Sequence, residues 1–168
     1  MKEGEDTLRL DVGCGYLPSG DVNCDLFVKN VGHRPMPKDL SGLPLKPKKI
    51  SNFILCDVQY LPFKDSVFEE VFSSHVIEHV DNPFLLFKEM LRVSNSKIVV
   101  VCPHKLGDRL RGKNIFHKHF FSKSWFYNAA RRFPGCFVNV EYSKFAGVPS
   151  NFFPVFSVPL ELRVEIRK

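Results

Sequence analysis

The sequence predicts an α/β fold: a three-layer domain around a central, mostly parallel sheet, with an antiparallel strand pair at the C-terminal end. Three observations predict it. Five short apolar runs recur between turn signals, an amphipathic helix stands between the fourth and fifth, and two longer runs that alternate polar with apolar residues close the chain. A length of 168 residues suits one core, so residues 1–168 are expected to form a single domain.

The first four runs are Leu8 to Val12, Asp21 to Phe27, Phe53 to Cys56 and Val67 to Ser73, and the fifth is Lys97 to Cys102. Their length and apolar content are those of buried strands. Between the fourth and fifth lies DNPFLLFKEMLRV, where Asp81 or Asn82 offers an N-cap oxygen, Pro83 fits the first helical position, and Phe84, Phe87 and Leu91 share a face. FSKSWFYNAARR predicts a second helix, capped by Ser122, matched at its C-terminal dipole by Arg131 and Arg132, and stopped by Pro134-Gly135. Val138 to Lys144 and Leu160 to Arg167 then alternate as half-buried strands, read as antiparallel neighbours. Between the second and third runs, Lys29 to Ser51 carries Pro35, Pro37, Pro44 and Pro47, which no ordinary helix survives, so a long loop is expected there.

Composition narrows the function classes. Hydrophobic residues at 44% and charged residues at 25% exclude a disordered or collagen-like chain. The longest aliphatic run, Ile98 to Val101, is far short of a membrane span, and the opening MKEGEDTLRL has no apolar stretch; no membrane partner and a cytoplasmic location are expected. Five cysteines without a CxxC pair fit neither a zinc ribbon nor a full disulfide framework. Cys24 and Cys56 directly precede Asp25 and Asp57, and successive strand residues face opposite sides, so if the aspartates face a ligand the thiols face the core and no metal is expected. The net charge of +6 is uneven: Val28 to Ile50 carries +5, Pro103 to Arg132 carries +7, and the remainder carries −6. Two basic segments on an otherwise acidic chain suggest a positive rim for an anionic partner. Ten of the 17 phenylalanines lie between Phe116 and Phe156, read as core or subunit contact because base-stacking platforms usually carry Tyr and Trp as well.

The chemistry-bearing motif begins at LRLDVGCG, a strand running into Asp11-x-Gly13-x-Gly15, whose glycines allow a tight turn and close approach of backbone to ligand. The second run then ends in Asp25 and the third in Asp57. Carboxylates just past the strand ends of an open parallel sheet lie where such folds bind ligands, and an acid after the second strand commonly accepts ribose hydroxyls.

With LDVGCG at Leu10 to Gly15, CDVQYLPFKDSVFEEVFSSHVIEHV at Cys56 to Val80 and IVVVCPH at Ile98 to His104, the chain resembles the class I S-adenosylmethionine-dependent methyltransferases. The likeness is close from Leu8 to about His104 and loose through HKHFFSKSWF. It implies a Rossmann-like three-layer fold, S-adenosyl-L-methionine as cofactor and methyl transfer as the reaction. By position it implies Asp11, Gly13 and Gly15 around the methionine moiety, Asp25 on the ribose hydroxyls, Asp57 on the adenine amino group and the Val58 backbone N–H on the ring. Ser74 or His75 would border the sulfonium.

One departure from the family matters physically. Only YLPSG separates Gly15 from the second run, whereas a crossover that includes a helix takes at least about 10 to 12 residues, so the usual first helix is expected to be missing. A dinucleotide needs that helix N-terminus for its pyrophosphate, whereas S-adenosylmethionine carries no phosphate, so the omission disfavours NAD.

His75-Val-Ile-Glu78-His79 also matches HxxEH, the inverted zinc-protease motif. That motif needs a helix, whereas this pentapeptide follows a strand and Pro83 opens a new helix four residues later, so it is not expected to hold zinc. His75 and His79 stand instead as candidate bases facing the acceptor, or as loop-orienting residues. His117 and His119 read as surface. The basic rim favours an anionic methyl acceptor, RNA among them; a small molecule is equally compatible. The alternative is a module that binds S-adenosylmethionine without turnover and acts through a partner. Met1 to Thr7 are too few to close the acceptor pocket, so Val28 to Ile50, His104 to His119 or Phe145 to Pro159 is expected to do so, with both basic segments at the mouth.

Overall fold

The computed structural model describes residues 8–15, 18–26, 51–110, 114–148 and 156–168. Its strands are β1 (Arg9–Val12), β2 (Val22–Asp25), β3 (Phe53–Leu55), β4 (Phe68–Ser74), β5 (Ser94–Pro103), β6 (Phe137–Val148) and β7 (Phe156–Arg167). The helices are α1 (Pro83–Val93), α2 (Lys105–Leu110) and α3 (Lys123–Ala130). All seven strands form one sheet in the order β3-β2-β1-β4-β5-β7-β6. The first five are parallel, and β7 runs antiparallel between β5 and β6. This is the expected α/β architecture with its C-terminal antiparallel pair.

The return from β1 to β2 contains no helix among the described residues. Parallel neighbours usually need a crossover of a dozen residues or more, and here residues 13–21 suffice because the returning chain is bonded to the strand it leaves. Asp11 Oδ2 accepts from the Ser19 amide at 2.8 Å and its hydroxyl at 2.9 Å. Asp21 Oδ2 accepts from the Arg9 amide at 2.8 Å, and the Asp21 amide donates to the Arg9 carbonyl at 2.9 Å. A side chain at Gly20 would stand 2.6 Å from the Asp11 amide nitrogen, so this approach needs glycine. Burial in this fold-back pushes the Asp11 carboxyl above its ordinary value, against the two Ser19 hydrogen bonds that favour its charged form.

The Asn82 side chain caps α1 by accepting from the Leu85 amide at 3.1 Å, with Pro83 at the first position as expected. Its inner face buries Leu86, Phe87, Met90 and Leu91. α3 carries Phe126 into the same core, where Phe87, Phe121, Trp125, Phe126 and Phe133 form an aromatic cluster; the Phe121 and Trp125 rings meet edge-on at 4.9 Å. These phenylalanines are therefore core. Ser122 precedes α3, yet its hydroxyl pairs with Ser124 Oγ at 2.8 Å rather than with a helix amide. α2 is absent from the sequence expectation because Gly107 weakens any helix reading. The packing explains it: a Cβ at Gly107 would lie 2.5 Å from the Leu160 carbonyl oxygen, so glycine lets α2 lie directly on β7. Cys24 is fully buried and Cys56 packs beside the core. No described helix is long and apolar enough to cross a membrane.

Candidate functional site

The strand order reverses between β1 and β4, and open α/β sheets bind ligands at the carboxyl ends of the strands flanking such a reversal. A cavity of about 310 Å³ opens there, within the range of small-molecule sites. Gly13, Asp25, Asp57, Val58, Val76 and His79 line it, with Phe116 and Lys118 on one side. Gly13 sits at φ +71, and a Cβ there would overlap the Val76 methyls, so glycine keeps the floor of the cavity open.

Asp25 ends β2, and its Oδ2 accepts from the Gly15 amide at 2.9 Å. The second glycine of the motif thus acts through the acid, orienting its carboxylate, and is not itself in the cavity wall. Asp57 Oδ1 accepts from the Gln59 amide at 2.9 Å, an Asx turn that fixes the carboxylate against the cavity. Asp11 belongs to the fold-back beneath the site and does not line the cavity.

The segment that carries Asp57 and Val58 is clamped to α1. Arg92 donates to the Leu61 carbonyl at 2.9 Å, the Phe63 carbonyl at 2.7 Å, Asp65 at 2.8 Å and Glu89 at 2.7 Å, while Glu89 accepts from the Leu61 amide at 3.0 Å. The Arg92 guanidinium holds the Glu89 carboxyl below its ordinary value. Gln59 adds a bond from the far side, accepting from the Asn82 amide at 2.8 Å.

At the end of β4, His75 adopts φ +56, a left-handed conformation that turns the chain sharply into the segment 76–79. The turn separates the two candidate histidines. His75 points away from the cavity: its Nε2 meets Glu161 Oε1 at 2.9 Å and its Nδ1 lies 3.4 Å from Glu78 Oε1. Glu78, with Glu161 beside it, raises the His75 pKa against the opposing effect of burial. His79 lines the cavity, and its Nδ1 lies 2.9 Å from the Phe116 carbonyl, which assigns the ring proton to Nδ1. Ser74 is half-buried at the strand end and does not line the cavity.

The second basic segment reaches the site, since Phe116 and Lys118 line it, with Lys118 Nζ 2.5 Å from Asp81 Oδ1. Val28 to Ile50 and the side chains of Phe145 to Pro159 lie outside the described residues. His117, expected at the surface, is largely enclosed, its Nδ1 2.9 Å from Asp108 Oδ2. Glu78 is visible in the sequence only through the HxxEH match, whereas Asp108, Phe116 and Glu161 have no signature there, because segments far apart in the chain bring them against the two histidine-bearing turns.

The description "Methyltransferase domain" fits residues 10–101 as a family match. An uncharacterised methyltransferase of Mycobacterium leprae is 34% identical over 101 residues, 59% of this chain and 37% of its own length. The chain spans less than half the length of the curated relatives it matches. Among solved structures, an S-adenosylmethionine-dependent methyltransferase from Mesorhizobium loti superposes with a TM-score of 0.62 at 16% identity, covering 96% of this chain and 90% of that one. The plantazolicin methyltransferase BpumL, solved with a triazolic desmethylPZN analogue and S-adenosylhomocysteine, gives 0.59 at 16% identity, covering 95% and 76%. The solved structures share the fold.

Proposed function

Since the chain belongs to the methyltransferase domain family, of the class I S-adenosylmethionine-dependent kind, we propose that it works as one domain that transfers a methyl group from S-adenosyl-L-methionine to an acceptor at the mouth of the β1/β4 cavity. The observation that carries the reading is the pairing of two oriented carboxylates, Asp25 and Asp57, with a floor at Gly13 that leaves no room for a side chain. An adenosine offers hydroxyl and amino donors, and carboxylates held as acceptors fit them.

On this reading Asp25, oriented by the Gly15 amide, accepts from the ribose hydroxyls, and Asp57 accepts from the adenine amino group. The Val58 amide faces the ring, and Gly13 lets the backbone approach the ligand. Asp11 and Gly15 act on the methionine end only through the turn they hold, and Ser74 through the strand end beside it. When bound, S-adenosylmethionine supplies an electrophilic methyl group on a sulfonium. The protein's share is then mainly positioning, with a base needed only where the acceptor must lose a proton. Of the two candidate histidines His79 is the one at the cavity, while His75 braces the turn through Glu161. Lys118 and the basic segment around it suit an anionic acceptor.

Calorimetry with S-adenosylmethionine, S-adenosylhomocysteine and NAD tests the proposal. Both sulfur ligands should bind, and Asp25→Ala should weaken each by about 10- to 150-fold, the equivalent of one charge-assisted hydrogen bond at roughly 1.5–3 kcal/mol. Binding of NAD alone would overturn it. Release of S-adenosylhomocysteine with a panel of acceptors then distinguishes an enzyme from a binding module.

A further inference from the structure

Beside the cavity, the segment after β4 meets the segment before α3. The Lys118 and His119 amides both donate to the Glu78 carbonyl, at 2.8 and 3.3 Å, and this clamp brings His117 against Glu78 and His79. One ligand-capable atom from each of these three side chains lies within 4.8 Å of the others. The geometry points to a divalent transition-metal site formed by Glu78, His79 and His117.

Three observations carry it. The Glu78 side chain is 1% exposed, and neither of its carboxylate oxygens accepts a hydrogen bond among the described residues. Its near neighbours are His75 Nδ1 at 3.4 Å and His79 Nε2 at 3.9 Å, both too long for good hydrogen bonds. A buried carboxylate in that state is costly unless a cation compensates it. Next, both imidazoles have one nitrogen occupied in the manner of metal-binding histidines. His79 Nδ1 faces the Phe116 carbonyl, and His117 Nδ1 faces the Asp108 carboxylate, each at 2.9 Å. Such partners put the proton on Nδ1 and direct the basic Nε2 to a metal. Finally, the site is nearly preformed. A tetrahedral ion at zinc's bond lengths sets its ligands about 3.3 Å apart, so closing the group needs side-chain shifts of about 1 Å and replacement of the Asn114 amide, now 3.0 Å from His117 Nε2.

Two imidazoles and one carboxylate suit zinc, cobalt(II) or iron(II) rather than magnesium or calcium. Three protein ligands leave coordination open, and His79 and Phe116 line the cavity, so an oxygen of the acceptor would complete the shell from that side. His79 is then a ligand rather than a free base. Of the HxxEH residues only Glu78 and His79 contribute, since His75 turns to Glu161. His117, from 38 residues further along the chain than His79, takes the third place.

The site itself is independent of the methyl-donor reading, and its test uses no donor. The reduced protein, residues 1–168, is titrated with Co²⁺ and followed by visible absorption. One equivalent should give d–d bands without thiolate charge transfer, and Zn²⁺ should displace it. Glu78→Gln and His117→Gln should abolish the bands, and Asp108→Asn, which keeps all three ligands, should weaken binding by about 10- to 100-fold. Circular dichroism checks that each variant folds; if Glu78→Gln does not, His117→Gln and Asp108→Asn carry the decision. No bands in the wild type, bands with thiolate character, or unchanged affinity in His117→Gln would overturn the proposal and leave Glu78 a buried charge offset by His75.

Discussion

Replacing Gly13 by alanine tests whether the cavity floor is built as described. Two penalties add. A non-glycine residue in the left-handed region at φ +71 is destabilised by roughly 1–2 kcal/mol, and the new methyl, overlapping Val76, forces overpacking of roughly 1–3 kcal/mol. Together they amount to about 2–5 kcal/mol. At roughly 2–4 °C per kcal/mol for a domain of this size, the Tm should fall by about 4–20 °C. Val76 also lines the cavity, so its displacement should weaken S-adenosylhomocysteine binding as well. The double variant Gly13→Ala/Val76→Ala separates the two penalties: it removes the overlap but not the backbone strain. Measured by calorimetry and thermal denaturation, the second change should restore affinity in the Gly13→Ala background. An alanine at 13 that leaves both Tm and affinity at wild-type values would show that Gly13 does not approach Val76 as described.

Arg92→Ala should destabilise the fold by about 2–4 kcal/mol, since it strips partners from two carbonyls and two carboxylates, and it should loosen the turn bearing Asp57 and Val58; denaturant midpoints and ligand affinity read both. Because Arg92 lowers the Glu89 pKa in the folded state, the stability from that pair is complete above the ordinary glutamate value and lost as pH falls through the folded one. Wild type should therefore lose stability relative to Glu89→Gln below about pH 4.5, and parallel pH profiles would refute the linkage. Gly107→Ala should gain up to about 1 kcal/mol by helix propensity alone. The Leu160 backbone in its way reverses the sign, and hydrogen exchange should show α2 released.

The strands of the parallel half and α1 were legible because each short segment carries its own signal: apolar runs for β1 to β5, even at the edge strand β3, where Leu55 is exposed, and Pro83 behind a capping Asn82 for α1. The missing first helix was legible too, from length alone. Asp25, Asp57 and Gly13 could be placed at the site because topology sends every parallel strand end to one edge of the sheet. Pairwise meetings across the chain could not be read this way. Whether Asp11 faces the cavity or Ser19, and whether His75 or His79 faces the acceptor, depends on local turns, here the left-handed residue at His75. α2 was hidden for a related reason: its glycine is explained only by the β7 backbone lying across it.

The direct return from β1 to β2 makes loop length a gauge of parity. An intervening helix could absorb an inserted or deleted residue by fraying at an end. Residues 18–21, the last before β2, have no such slack, being tied at Asp11–Ser19, Arg9–Asp21 and Gly20. A single-residue change there would pass undiminished into β2 and shift its register by one, and a shift of one exchanges the two faces of a strand. Cys24 would then face the cavity and Asp25 the core. In this chain the identity of the group presented to the ligand is thus encoded in the count of residues before it as much as in the residue itself.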